Sequence, residues 1–338
     1  MPLFLAQCTA GLQEFVAERL VEDFGADVEH TEEGLVVFSG EGIEAKNISY
    51  TNNVFLLLEQ LNSADMNTLL SACTQGKRWH QPAKQSINKG ERSFRLFLSD
   101  ENKLVSADRA KLDKLISQIE QQCRITHTAH RPDTEFWLFR RRNGAAYFCK
   151  RLTKNRMTEK DLNPGELRPE LARILCLISE PATKDIFLDP FAGSGAIAFA
   201  RKEWPYEIMF VSDIEPEKIQ AIKKNIPKTK KPIIVRAADA LKLDKIENGF
   251  IDKLVTDPPW GLFDKSIADV PSFYKKTLQE MCRVVKPDGI IVMLTGAREL
   301  VTDLSKEFAS QLTLERRFDI LVSGKKASIV KWRRIHGT

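Results

Sequence analysis

The sequence has little that would tie it to a membrane, a disulfide framework or a structural metal. Its opening Met1-Pro2-Leu3-Phe4-Leu5-Ala6 is too short, and too soon followed by polar residues, to read as a secretory signal, and no apolar run approaches membrane-spanning length. The expectation is a cytoplasmic protein with no membrane association. Six cysteines, Cys8, Cys73, Cys123, Cys149, Cys176 and Cys282, are scattered without a C-x-x-C pair, which speaks against zinc and against disulfides and leaves reduced, mostly buried thiols. Internal repeats and low-complexity tracts are also missing.

What is present is an ordinary globular balance, 43% hydrophobic and 29% charged over 338 residues, enough chain for two or more cores. The net charge of +5 attracts a polyanion only where basic residues cluster. Four runs do: Arg140, Arg141 and Arg142; Lys150, Arg151, Lys154 and Arg156; Lys223, Lys224, Lys228, Lys230 and Lys231; and Lys331, Arg333 and Arg334. Each run alone reads as a solvated face, so the set points to nucleic acid only in combination with a site.

Up to about residue 150, short β-branched or aromatic runs at 34–39, 93–98 and 135–139 alternate with helical stretches at 12–24 and 107–123, an α+β pattern. Residues 154–165 are polar and basic, broken by Asn163-Pro164-Gly165, and read as a connector. A helix at 168–179 then leads into regular alternation, with strands at 186–189, 208–213, 233–238, 253–257 and 290–295 and helices at 195–202, 215–225, 272–285 and 297–310. Repeated βαβ units imply a mostly parallel sheet covered on both faces, and two last runs at 313–320 and 327–332 suit an antiparallel edge pair.

The segments with chemical content fall at strand ends. Asp189-Pro190-Phe191-Ala192-Gly193-Ser194-Gly195 follows the first of these strands and opens a helix, so its glycines allow a tight turn and close approach of backbone to a ligand. It has neither the G-x-G-x-x-G spacing of a dinucleotide site nor the Lys-Ser/Thr ending of a phosphate loop, and by itself it could be a plain strand-to-helix turn. The second strand ends in Asp213, twenty-four positions after Asp189, placed to accept from a ribose diol; the third ends in Asp239, placed to accept from an adenine amino group. Either acid alone reads rather as a helix N-cap or a turn residue. The fourth strand ends in Thr256-Asp257-Pro258-Pro259-Trp260-Gly261, where two prolines delete two backbone donors and stiffen the turn. Its carbonyls and the Asp257 carboxylate can hold a planar amino group while Trp260 stacks on the attached ring.

Together the 189–195 loop, Asp213, Asp239 and Asp257-Pro258-Pro259-Trp260 resemble the class I, Rossmann-like, S-adenosylmethionine-dependent methyltransferases of the amino-modifying type, over residues of about 165 to 335. Glu166-Leu167-Arg168-Pro169-Glu170-Leu171-Ala172 looks like the helix that guanine-N2 RNA methyltransferases set before their cofactor loop, and 126–152, with His130-Arg131-Pro132-Asp133 and Phe148-Cys149-Lys150-Arg151-Leu152, is similar to the end of a THUMP RNA-binding domain. The resemblance implies an α/β chain: a Rossmann-like methyltransferase domain with a seven-stranded, mostly parallel sheet at 154–338, an α+β THUMP-like region at 61–153 and a ferredoxin-like part at 1–60. It implies N2-methylation of a guanosine in structured RNA, foremost tRNA, with no obligate protein partner. It makes Arg168, Pro169, Asp189, Pro190, Phe191, Ala192, Gly193, Ser194, Gly195, Asp213, Ile214, Asp239, Ala240 and Asp257 the cofactor site and Asp257, Pro258, Pro259 and Trp260 the catalytic turn.

His127 and His130 have no cysteine or carboxylate partner nearby in sequence and suit a structural or RNA-facing role; methyl transfer from a sulfonium calls for no metal. Three other readings stay open: an adenine-N6 methyltransferase on DNA or RNA, since the turn grips any planar exocyclic amine; a non-catalytic RNA-binding protein with a degenerate cofactor fold; and a protein-glutamine methyltransferase, against which stand Asp257 in place of the usual Asn and the THUMP-like half.

Overall fold

The computed structural model describes residues 1–154, 166–226, 229–261 and 267–336, and the chain divides into two units, Met1–Cys8 with Gln13–Arg156 and Thr9–Leu12 with Met157–Thr338. Apart from Lys154, the connector expected at 154–165 lies outside the described residues, as do Arg156 and Lys228 of the basic runs.

In the first unit, β1 (Leu3–Gln7), α1 (Gln13–Phe24), β2 (Asp27–Glu32), β3 (Leu35–Ser39) and β4 (Asn53–Asn62) precede α2 (Met66–Gln75) and α3 (His80–Gln85). Then come β5 (Ser93–Asp100), β6 (Lys103–Leu104), α4 (Arg109–Cys123), β7 (Thr126–His127), β8 (Thr134–Arg140) and β9 (Ala145–Arg151). The strands form one sheet in the order β2-β3-β1-β4-β9-β8-β5-β6, with β7 beside β5. Period-two patterning decides its faces: Thr134, Phe136 and Leu138 of β8 are buried beneath α2 and α4, while Glu135 and Trp137 between them are half-exposed. Asp65 and Asp108 start α2 and α4 by accepting from the Thr68 and Lys111 amides, each at 2.9 Å. The boundary expected at residue 60 falls inside β4, whose Phe55 pairs with Leu5 of β1 on one side and Arg151 of β9 on the other, so hydrogen bonding runs unbroken across it. β2 and β9 are four places apart in the sheet, yet the Tyr147 hydroxyl donates to Glu32 Oε1 at 2.7 Å, so the sheet curls back on itself.

The second unit runs α5 (Pro169–Ile178), β10 (Ile186–Asp189), α6 (Ala196–Arg201), β11 (Ile208–Asp213), α7 (Pro216–Asn225), β12 (Ile233–Ala237) and β13 (Ile251–Thr256). It ends with α8 (Val270–Val284), β14 (Val285–Thr295), α9 (Arg298–Glu307), β15 (Leu312–Val322) and β16 (Lys325–Arg334). The seven strands lie in the order β12-β11-β10-β13-β14-β16-β15, parallel through β14, with β16 antiparallel to both its neighbours, which is the Rossmann-like methyltransferase arrangement expected. β14 begins earlier than the 290–295 run because Val285 already pairs with Ile251; the register then shifts, Lys253 facing Ile290, across a segment holding Pro287, which lacks a ladder donor. Leu188, Leu254, Ile291 and Trp332 of the sheet pack with Tyr274, Leu278 and Met281 of α8 in its core. All six cysteines are free and buried, and among the described residues no helix is long and apolar enough to cross a membrane.

The chain starts on β10 in mid-sheet, steps outward through β11 to β12, then crosses back to β13 on the other side of β10. Strand order therefore reverses between β10 and β13, and ligands of open α/β sheets bind in the crevice at the carboxyl ends of the strands there.

Beneath this reversal Arg201 is fully buried, donating from Nη2 to Asp185 Oδ2 at 2.8 Å and from Nη1 to the Trp204 and Pro205 carbonyls at 3.1 and 2.9 Å. Asp185→Ala strands the guanidinium without a counter-charge and is expected to cost about 3–5 kcal/mol. Urea unfolding should show this as a lower midpoint at unchanged slope; a loss below about 1 kcal/mol, the worth of an exposed pair, would mean that the pair locks nothing.

Candidate active site

The loop after β10 is built on its own backbone and one distant carboxylate. Gly193 and Gly195 adopt φ of +52° and +86°, left-handed values that disfavour side chains, and a Cβ at Gly193 would meet nothing within 4 Å, so backbone is bare to the cavity there. The Gly193 amide donates to Asp213 Oδ2 at 2.8 Å, while Asp213 Oδ1 accepts from the Glu215 amide at 3.0 Å. Asp213, at the end of β11, thus clamps the glycine loop to the start of α7, and each oxygen keeps a further lone pair for a ligand. Asp189 is fully buried beneath the loop; its Oδ1 accepts from the Phe191 amide at 3.3 Å and the Thr256 hydroxyl at 3.4 Å, and its Oδ2 has no partner. Burial, reinforced by the charges of Asp213 and Asp257, holds its carboxyl well above the usual range. Asp239, two residues past β12, is exposed and turns its Oδ1 to the Leu241 amide at 2.8 Å.

The turn after β13 is pinned through its acceptors. β13 ends at Thr256, so Asp257 stands clear of the ladder. Trp260 Nε1 donates to Asp257 Oδ1 at 2.9 Å, and the Tyr274 hydroxyl of α8 donates to the Pro259 carbonyl at 3.2 Å. The next residue, Gly261, has φ +67°, and a Cβ there would come within 2.4 Å of Val270 Cγ2. Burial pushes the Asp257 carboxyl up to about 7, only partly offset by the Trp260 bond.

One cavity of about 370 Å³ collects these groups: Pro190, Phe191, Gly193, Asp213, Ile214, Asp239, Ala240, Asp257, Pro258, Pro259 and Trp260 all line it. Ile214 is 66% exposed on its wall, an apolar face beside two carboxylates. Asp189 lies beneath the cavity rather than on it, and Ala192 is buried in the loop. Pro169 and Ser194 line a second cavity of about 410 Å³ with Arg173 and Phe199; neither Arg168, the cap residue of α5, nor Gly195 lines either cavity. Glu215, Lys218, Leu241 and Phe273 line the first cavity without having been singled out in the sequence. Three of them lie within five positions of Asp213 or Asp239 and proximity could have found them; Phe273, edge-on to Phe191 at 5.8 Å, arrives from α8 and had no motif to announce it.

Three of the four basic runs are largely consumed by ion pairs, while among the described residues of the run from Lys223 to Lys231 only Lys231 is seen paired, with Glu207 at 2.7 Å. Arg140 bonds Asp100 at 2.7 Å, Arg141 lies 3.4 Å from Glu32, Arg151 bonds Glu135 at 3.1 Å, and the buried Lys150 bonds Glu91 at 2.7 Å. Lys331 and Arg333 both engage Glu180 and Glu315. His127 packs its ring against Phe94 at 5.4 Å.

Residues 156–322 match the family model described as UPF0020, RMKL-like, methyltransferase domain. The tRNA (guanine(6)-N(2))-methyltransferase THUMP3 of Bos taurus is 29% identical, over 44% of this chain and 31% of that protein. The tRNA (guanine(10)-N2)-dimethyltransferase of Methanothermobacter thermautotrophicus is 23% identical, over 50% of this chain and 49% of that protein. The chain thus spans from 31% to 49% of the length of these curated relatives. In fold it is similar to TrmN from Thermus thermophilus, with a TM-score of 0.78 at 18% identity over 99% of this chain and 100% of that one. A second solved chain, complexed with SAH, gives 0.68 at 12% identity over 100% and 98%.

Asp213→Ala removes the acceptor of two backbone amides, each a charge-assisted bond of about 1.5–3 kcal/mol. The ligand-free variant is expected to melt at a lower temperature, with Asp213→Asn, which keeps one acceptor oxygen, in between. Melting unchanged in both would mean that the loop holds its shape without this carboxylate.

Proposed function

We propose that this chain is a cytoplasmic enzyme that transfers the methyl group of S-adenosylmethionine to the exocyclic N2 amino group of a guanosine in structured RNA, in the first place tRNA. In this reading residues 154–338 form the methyltransferase domain, 61–153 the THUMP-like RNA-gripping region and 1–60 its ferredoxin-like companion. The observation that carries it is the convergence of Asp257-Pro258-Pro259-Trp260 with Gly193, Asp213 and Asp239 on one cavity at the reversal of strand order. The names of the curated relatives, both tRNA guanine-N2 methyltransferases, support the substrate.

The cavity suits an adenosyl cofactor. Bare backbone at Gly193 admits close approach, Asp213 and Asp239 offer acceptors for a ribose diol and an adenine amino group, and exposed Ile214 offers an apolar surface for the purine. S-adenosylmethionine, when bound, supplies a methyl group already activated on a sulfonium. The protein's share is alignment of the amine and support of the positive charge that grows on it. Asp257 and the Pro258 carbonyl accept from the target amine, Trp260 stacks on its base, and the Asp257 carboxylate faces the developing charge.

Asp257 must be ionised for that task. Its carboxyl is raised to about 7, so it is neutral below that pH and an acceptor of full charge above it. The single-turnover rate is therefore expected to climb with pH through about 7 and level off, and Asp257→Asn to be slow and flat over the same window. A parental rate in Asp257→Ala would make the turn structural and end this mechanism.

Incubation with bulk tRNA and labelled S-adenosylmethionine, followed by digestion to nucleosides, is expected to place the label in N2-methylguanosine. Label in N6-methyladenosine would move the substrate to adenine, whose amine the turn can grip in the same way. Neither label nor cofactor binding by calorimetry would leave a non-catalytic RNA-binding protein.

A further inference from the structure

The Asp257–Gly261 turn has an unusual anchoring problem. Pro258 and Pro259 carry no N–H, so two of its residues cannot be tied down by donating to the rest of the fold. At those two residues the backbone can be held only by what donates to their carbonyls. Tyr274 reaches it from α8: the ring is 1% exposed in the core, and its hydroxyl lies 3.2 Å from the Pro259 carbonyl and 2.6 Å from Thr295 Oγ1 at the end of β14. Thr295 Oγ1 in turn lies 3.0 Å from the Ala297 amide nitrogen.

The direction of these three bonds follows from proton count. A carbonyl only accepts, so the single phenolic proton of Tyr274 goes to Pro259. Tyr274 must then accept from Thr295, whose only proton is thereby committed, and Thr295 accepts from the Ala297 amide. The chain runs one way, from backbone amide to threonine to tyrosine to carbonyl, with Thr295 wholly buried. Burial keeps Tyr274 a neutral phenol, able to donate throughout the working range of pH.

We propose that Tyr274 and Thr295 form a positioning relay that fixes the Pro259 carbonyl and thereby aims Asp257 and the Pro258 carbonyl at the target amine. The relay touches neither substrate nor cofactor, and it rests on the methyltransferase reading above. It takes over the anchoring that the missing proline amides cannot provide. Its loss leaves the Tyr274 ring in the core but lets the turn shift, and displacement of reacting groups by about 1 Å costs on the order of a hundred-fold in rate.

Two measurements separate positioning from general stability and from the choice of reaction. In single-turnover methylation of bulk tRNA with tritiated S-adenosylmethionine, Tyr274→Phe is expected to be ten- to a hundred-fold slow. Its melting temperature and cofactor affinity should stay close to parental. Thr295→Val should be slow and Thr295→Ser should restore most of the rate. Because the two hydroxyls act in series on one carbonyl, the Tyr274→Phe/Thr295→Val double variant should be no slower than Tyr274→Phe alone. The second measurement needs no turnover: with 15N-labelled tryptophan, the Trp260 indole signal, assigned by Trp260→Phe, reports its bond to Asp257. It should move or broaden in Tyr274→Phe while the indole signal of buried Trp332 stays in place. A parental rate with an unmoved Trp260 signal in Tyr274→Phe overturns the relay, as do multiplicative losses in the double variant. If the parental chain methylates nothing, the methyltransferase reading fails, and the indole signal still decides whether Tyr274 positions the turn.

Discussion

The site exists because β10 lies between β11 and β13. That single choice of strand order puts the glycine loop, Asp213 and the Asp257 turn side by side at the carboxyl ends of parallel strands, although they lie as many as sixty-eight positions apart in sequence between Asp189 and Asp257. Parallel pairing demands crossover helices, and those helices then supply the rest: α7 begins where Asp213 ends its clamp, and α8 sends Phe273 to the cavity wall and Tyr274 to the back of the turn. Architecture and chemistry are here one constraint.

That constraint has an electrostatic cost. Asp189, Asp213 and Asp257 gather at one edge, and for Asp189 and Asp257 removal from water is the largest cause of their raised pKa values. Asp189 Oδ2 remains unpaired in the interior. A crowd of carboxyls is unfavourable in an empty cavity and favourable around a cationic ligand, so the field that weakens the free protein is the one that suits a sulfonium donor and a nitrogen acquiring positive charge. An anionic ligand would be repelled by it.

Most of the second unit could be read from the sequence because βαβ alternation leaves strong periodic signals: β10 and β11 coincide with the runs 186–189 and 208–213. The motif residues on strand ends also came together as the pattern implied. Contacts made across the fold were not legible. Asp213 reads as a ligand acceptor, yet much of its hydrogen bonding goes to Gly193 and Glu215. The basic runs read as patches until their carboxylate partners, such as Asp100, Glu135 and Glu91, appear from other strands and loops. Pro169 and Ser194 belong to motifs beside the cavity but face another hollow, since adjacency in sequence does not fix which way a side chain points. In the first unit the unbroken sheet through β4 was hidden for the same reason: pairing partners of Phe55 lie about fifty residues before and a hundred after it.

In the proposed reaction, discrimination among bases cannot come from the grip on the amine alone. An aspartate and a proline carbonyl recognise two hydrogens on a planar nitrogen, and a tryptophan face stacks on any base, so guanine N2 and adenine N6 satisfy both equally. Specificity is a difference of affinities and needs a group that one base satisfies and the other leaves unpaired. On the purine edge beside its amine, guanine presents a ring N–H where adenine presents a bare ring nitrogen. A discriminating site must therefore place an acceptor next to the amine clamp. Asp257 has the means: Trp260 occupies Oδ1 only, and an ionised carboxylate has two oxygens with which to meet a neighbouring amine and ring N–H together. Against adenine the same carboxylate would face a lone pair, so in the proposed reaction the ionised state asked of Asp257 would also favour guanine.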